Sequence, residues 1–260
     1  MDTLDDVLDR LETLDEADDV DALHAALAEG LDHFPDVPEL REWEASIART
    51  EERFADALAI LDTLLAARPR RSWARRERAS VLVDLGRFEE AAAALRALGP
   101  ERDRTVRASI HHDLGLCLDR LGRPDEADTE FGRAARLAPH DYPMPLRLSE
   151  ARFEALVAAA LDDIPAEFAR YLDQVVVRVR DHPGPEDGDD PFLLGLYVGV
   201  SRPERTLATE DHLDNILIFK RSHEVHCSDE RTLRDDVRRT VVHEIAHHFG
   251  IAHEDMGEYE

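Results

Sequence analysis

Lysine is almost absent from this chain: Lys220 is the only one in 260 residues, and arginine carries the remaining positive charge. Cations of both kinds are outnumbered. Lys+Arg 32 against Asp+Glu 58 leaves a formal charge of -26, a field that repels phosphate backbones and argues against a nucleic-acid partner. Cysteine is scarce as well. Cys117 and Cys227 lie far apart with no C-x-x-C spacing, the pattern of two reduced thiols rather than a disulfide framework. No apolar run approaches the ~20 residues of a membrane span, so no membrane partner is expected. The opening residues, Met1-Asp2-Thr3-Leu4-Asp5-Asp6, lack the basic and apolar regions of a signal peptide. The expected compartment is therefore the cytoplasm. What is present in quantity is apolar residue, 43% of the chain, enough for a real core despite the acidity. The arginine bias, with abundant Ala and Asp, fits a high-GC genome or a salt-adapted proteome.

From about residue 4 to 141 small and apolar residues recur with a period near 34. One copy carries Ala45, Ala57, Leu61, Leu64 and Pro69; the next carries Ala79, Ala91, Leu95 and Leu98. The last carries Gly115, Ala127, Phe131, Ala134 and Pro139, and a weaker first copy carries Leu11, Leu23, Leu27, Gly30 and Pro35. Gly86 and Gly122 fall between helical stretches, where a turn needs them. These positions resemble the tetratricopeptide repeat, in which two antiparallel helices pack through small residues. The resemblance implies an all-α array with a surface for a protein partner or peptide.

Pro139, Pro143 and Pro145 cannot continue a helix and mark a boundary, giving domains 1–143 and 144–260. Beyond it an amphipathic helix is expected over Ser149 to Asp162, with Ser149 as N-cap, and a second from Ile164-Pro165 to about Leu172. Strands are expected at Gln174–Arg180, Phe192–Val200 and Asn215–Phe219, with a Gly/Pro/Asp-rich loop over Asp181 to Asp190. A last helix begins near Glu230. The expected fold class is α+β: a helical repeat array followed by a small α+β domain.

That last helix ends in His243-Glu244-Ile245-Ala246-His247-His248-Phe249-Gly250-Ile251-Ala252-His253, an H-E-x-x-H-x-x-G-x-x-H pattern. Two histidines four apart share one helix face and can grip one zinc ion through their imidazoles. Glu244, beside the first, can act as general base on the water that the metal activates. Gly250 would let the chain turn sharply, bringing His253 back as a third ligand. Asp255 and Glu254 are fallback ligands, since a carboxylate also binds zinc. His248 falls about 100° round the helix from His247 and is expected to pack or to support the site.

The order of features in residues 149 to 256 resembles a small bacterial zincin-like family. The landmarks are Phe153 through Ile164-Pro165, Val179-Arg180-Asp181, Leu194-Gly195-Leu196-Tyr197-x-Gly199-Val200, Ile216-Leu217-Ile218-Phe219 and Arg239 through Ile251. The resemblance implies a minimal zincin fold, a zinc cofactor and peptidase activity, with the substrate strand laid along the sheet edge beside the zinc helix. Either Phe192–Val200 or Asn215–Phe219 could be that edge. Family members carry Asp where this chain has His253, which shifts the ligand set towards three histidines. The eleven-residue pattern is also that of metzincins, but Met256 follows His253 by only three residues and the sequence ends at Glu260. The site is therefore read as a reduced zincin helix.

Other polar clusters compete for attention. Arg221-Ser222-His223-Glu224-Val225-His226-Cys227 is expected as a loop before the zinc helix, one histidine near the cleft, with a second metal site as the less favoured reading. Tyr197 and Tyr259 are candidate transition-state donors, and Asp113 beside His111-His112 reads as a surface feature of the repeats. Two functions follow. The first is an intracellular zinc peptidase whose repeats bind substrate or partner. The alternative is a binding or scaffold protein with a structural or inactive zincin domain.

Overall fold

A computed structural model of the chain describes residues 3–165, 172, 175–201, 203 and 213–251. Backbone contacts divide the chain into two compact units, Met1–Arg102 with Leu116–Arg123, and Asp103–Gly115 with Pro124–Glu260. The fold class is α+β: eleven helices and one three-stranded sheet among the described residues.

Eight helices alternate with short turns: α1 Leu4–Glu16, α2 Val20–His33, α3 Pro38–Thr50, α4 Phe54–Ala67, α5 Ser72–Asp84, α6 Phe88–Arg96, α7 Arg104–Arg120 and α8 Pro124–Leu137. The repeating small positions are where helices meet. Ala45, Ala57, Leu61, Ala79, Ala91, Ala127 and Ala134 are wholly inaccessible to solvent. A Cβ on Gly30 would stand 2.8 Å from Val7 Cγ1, and one on Gly115 2.7 Å from the Phe131 ring. No side chain fits at either crossing. The period also shows in the backbone. Positive φ recurs at Asp18 (56°), Glu52 (59°), Gly86 (67°) and Gly122 (69°), each turning one helix into the next. Two of those turns thus use an acidic residue where glycine is the low-cost choice.

The second unit carries the sheet. Ser149 caps α9 (Glu150–Asp162), its side chain accepting from the Arg152 N–H at 3.3 Å. Strands β1 (Val175–Arg180), β2 (Gly195–Val198) and β3 (Asp214–Phe219) lie in the order β1-β3-β2. β1 runs parallel to β3, and β2 runs antiparallel to it. Then follow α10 (Lys220–His226) and α11 (Glu230–His248). Ile216 and Ile218 of β3, Phe153, Leu156 and Val157 of α9, and Leu233, Val237, Val241 and Ile245 of α11 form one core, with Val175, Val177, Val179 and Tyr197 packed against it. Both helices therefore cover the same sheet face. The register follows from alternation: Gly195 pairs with Ile218 and Tyr197 with Ile216, so all four point to that face.

Three expectations need amending. The middle strand is shorter than Phe192–Val200, because the Asp190 carboxylate takes the Phe192 N–H at 2.7 Å and closes a turn there. β3 is central, which leaves β2 at the edge beside α11. Residues 221–227, expected as a loop, are mostly helix α10. Glu224 holds it by pairing with Arg221 and, at 3.3 Å, with Lys220, and it accepts the Leu148 N–H at 2.6 Å. The Leu146 N–H reaches the Glu224 carbonyl at 3.1 Å, so the proline-rich segment is stitched to this helix. The helix expected after Pro165 lies outside the described residues up to Leu172. Among the described residues no helix is long and apolar enough to cross a membrane.

Candidate metal centre

Helix α11 begins with Asp229, whose carboxylate caps the Arg231 and Thr232 N–H groups at 2.9 Å. Its 3.6-residue period then sorts side chains into three stripes. Leu233, Val237, Val241 and Ile245 enter the core. Thr240, Glu244 and His248, four apart, are buried and run along β2. His243 and His247 form the third stripe and stay partly open to solvent.

The two histidines are one turn apart, their ring centroids 4.9 Å apart and the rings at 85°. That spacing and the nitrogen donors suit a zinc ion. Gly250 takes φ 76°, and the Gly250 and Ile251 N–H groups fold back onto the His247 and Ala246 carbonyls. The sharp turn expected after the second histidine is present. His253, with Glu254, Asp255, Met256 and Tyr259, lies outside the described residues. Among the described residues no group of three His, Cys, Asp or Glu side chains is placed to hold a metal.

Glu244 is 6% exposed. Burial pushes its carboxyl up to about 7, partly opposed by a hydrogen bond accepted from the Tyr197 backbone N–H. The strand comes this close because residue 195 is glycine. A Cβ there would meet Thr240 Cγ2 at 2.6 Å and Glu244 Oε1 at 2.7 Å. One turn on, His248 Nδ1 lies 2.9 Å from Asp214 Oδ2, and both side chains are 1% exposed. The Tyr197 hydroxyl donates to the same Asp214 oxygen at 2.7 Å and stands 3.0 Å from the Val200 carbonyl. Gly199 leaves room for this cluster, since a Cβ there would run into Asp214 Oδ1. The hydroxyl of Tyr197 is thus committed inward, which corrects its reading as a transition-state donor.

For His223 the readings as a second-site ligand and as a cleft donor are corrected too. His223 is fully buried, its Nδ1 2.6 Å from Asp236 Oδ2 and its ring 6.0 Å from that of Phe153. It braces α10 on α11 and cannot reach a substrate. Neither cysteine is in a disulfide: Cys227 is a buried thiol, pushed up to about 11 by burial, and Cys117 is buried as well. In the repeats His111 pairs with Glu130 at 2.7 Å, and His112 packs its ring on Phe131 and Tyr142. Gly195, Asp214 and Thr240 are the site-shaping residues that motif reasoning passed over; the only sequence hint was the Gly-Leu-Tyr-x-Gly run.

Residues 172–260 match the family model of zincin-like metallopeptidases. Residues 48–111 and 108–141 match two tetratricopeptide-repeat models. No curated protein matches the chain. Among solved structures, a thermophilic tetratricopeptide-repeat protein of Thermus thermophilus is similar at 22% identity, covering 66% of this chain and 91% of the other, with a TM-score of 0.45. MamA from Desulfovibrio magneticus RS-1 is similar at 15% identity, covering 66% and 89%, with a TM-score of 0.47. MamA AMB-1 is similar at 21%, covering 53% and 80%, with a TM-score of 0.45.

Proposed function

We propose that residues 144–260 form a cytoplasmic zinc-dependent peptidase, with the repeat domain 1–143 binding its substrate or a protein partner. His243, His247 and His253 would hold the metal, and Glu244 would be the general base. Zinc in that position supplies Lewis acidity, making a water molecule acidic and polarising a carbonyl. The observation that carries the reading is the state of Glu244. It is buried on the face next to the open histidine stripe, with a carboxyl held near 7. A group so placed can accept a proton at neutral pH and return it. Glu244 takes the proton of the attacking water, and the carbonyl carbon gains that oxygen. The C–N bond then breaks as Glu244 delivers the proton to the leaving nitrogen. The Tyr197 N–H holds the carboxylate's orientation throughout. β2 is bonded to β3 along one side, so an extended peptide can add along its other edge.

Metal analysis of purified protein should find about one zinc per chain, falling sharply in His243→Ala. Glu244→Gln should keep the metal and lose about a hundredfold or more of peptide cleavage. Equal cleavage by wild type and Glu244→Gln would remove Glu244 from the chemistry and favour a scaffold role.

A further inference from the structure

The first unit holds a groove of about 300 Å³ that runs across three helices: Leu8 and Glu12 from α1, Glu39, Glu42 and Trp43 from α3, and Trp73 from α5. The chain has two tryptophans, and both line this groove. Trp43 packs one side on the Val7–Leu11–Leu27–Leu40 core, which fixes its ring as a wall. Both rings are only partly buried. Around them carboxylates outnumber cations. Arg71 is shared between Glu42 and Glu39, the latter at 2.9 Å, and Glu12 is exposed on the opposite rim. Further along α3 and α5 the pattern repeats, with Arg49 serving both Glu77 at 2.9 Å and Asp84 at 2.6 Å. Each of these arginines thus serves two acids.

We infer that this groove binds an extended segment of a basic protein, seating an arginine side chain against Trp43 and Trp73 with Glu12, Glu39 and Glu42 around its charge. Two physical terms choose that occupant. A guanidinium over an indole face gains cation–π attraction and stacks its plane on the ring. Surplus carboxylates on the rim, within a chain of charge -26, draw cations and turn away acidic peptides. A plain apolar ligand would leave the negative charge that Arg71 does not balance unanswered. The inference rests on the repeat domain being a binding element and specifies what it binds; it is independent of the metal site.

The groove carries its own reporter, because all tryptophan emission comes from its walls. Full-length protein is titrated with an unstructured Arg-Gly-Ser repeat peptide, then with Gln-Gly-Ser and Glu-Gly-Ser versions. The expected result is a saturable emission change with the arginine peptide only, weakening as salt rises. Trp73→Ala should weaken binding, read by anisotropy of labelled peptide, about tenfold. Glu12→Gln, at an exposed position, should weaken it about threefold without disturbing the fold. Thermal melts of both variants separate lost binding from lost structure. Equal binding of the Glu-Gly-Ser peptide, salt-independent binding, or unchanged affinity in both variants overturns the inference. So does an emission change that tracks protein concentration without peptide, which would mean a second copy fills the groove. Zinc content and cleavage are read in the same preparations. Protein that holds zinc and cleaves but binds no arginine peptide refutes this inference alone; protein that binds it without zinc refutes the peptidase reading alone.

Discussion

Replacing Gly195 by alanine tests the joint between strand and helix on which the site depends. Its backbone is in a region open to every residue, so an added Cβ brings no torsional strain and acts only through space. It would meet Thr240 Cγ2 at 2.6 Å, Glu244 Oε1 at 2.7 Å and Glu244 Cγ at 2.9 Å. Carbon contacts are comfortable at about 3.5–4.0 Å, so β2 must retreat from α11 by roughly 1 Å. Overpacking of that size costs about 1–3 kcal/mol and lowers the melting temperature by about 5 °C. The retreat also pulls the Tyr197 N–H away from Glu244. A catalytic group misplaced by about 1 Å can lose about a hundredfold in rate. Thr240→Ser dissects the two effects, because it deletes the methyl at 2.6 Å and leaves the clash with Glu244. The double variant should regain part of the stability and little of the cleavage. Thermal melts and peptide cleavage on the same samples provide the test. A Gly195→Ala protein with wild-type melting and wild-type cleavage would mean that the close approach does not govern Glu244.

Three further outcomes are expected. The Glu244 carboxyl is raised from 4.5 to about 7 in the folded, metal-free protein, so its stabilising contribution is complete below pH 4.5 and is lost as pH rises through about 7. Urea titrations of chelator-treated protein should show roughly 3 kcal/mol falling away over that window, and Glu244→Gln should flatten the fall; an unchanged slope refutes the assignment. Asp214→Ala leaves His248 buried without its carboxylate and should cost about 3 kcal/mol, against about 1 kcal/mol for Tyr197→Phe; comparable melts for the two would deny Asp214 its central place. Glu52→Gly relieves a left-handed residue worth about 1 kcal/mol and gives back part of it as chain entropy, so the melting temperature should rise slightly, while Glu52→Ala should bring no gain.

The repeat array was legible because its signal is steric. Ala45, Ala57, Ala79 and Ala91 sit where helices cross, and a crossing tolerates only small residues whatever surrounds it. β1 was legible as a β-branched run and the other two strands were placed, but not their limits, since Asp190 closes a turn before β2 through one side-chain bond that no periodicity announces. The Arg221–Cys227 segment misled for a similar reason. It reads as a loop, whereas Glu224 gathers Arg221 and Lys220 from its own helix and the Leu148 N–H from distant sequence, and no local pattern announces that last partner. His223 left a second metal site open as the less favoured reading, because a histidine bound to Asp236 is indistinguishable, in sequence, from one bound to a metal.

The H-E-x-x-H-H run shows why adjacent polar residues on one helix need not share a task. Neighbours differ by 100°, so His243 and Glu244 face different surroundings, as do His247 and His248. The stripe His243–His247 stays partly open, as the proposed metal and substrate would require. The stripe Thr240–Glu244–His248 turns towards β2 and the start of β3, where each member meets a specific accommodation: the bare Gly195 of β2 for Thr240, the Tyr197 N–H of β2 for Glu244, Asp214 of β3 for His248. Glu244 is the only one of these that must serve both sides, its carboxyl buried against the strand yet next to the open stripe. A carboxylate on the open stripe would be solvated and stay near 4.5; one deeper in the core could not reach a water. In the proposed chemistry its placement between the two would give a proton acceptor matched to neutral pH, and the packing that raises its pKa would also fix its aim.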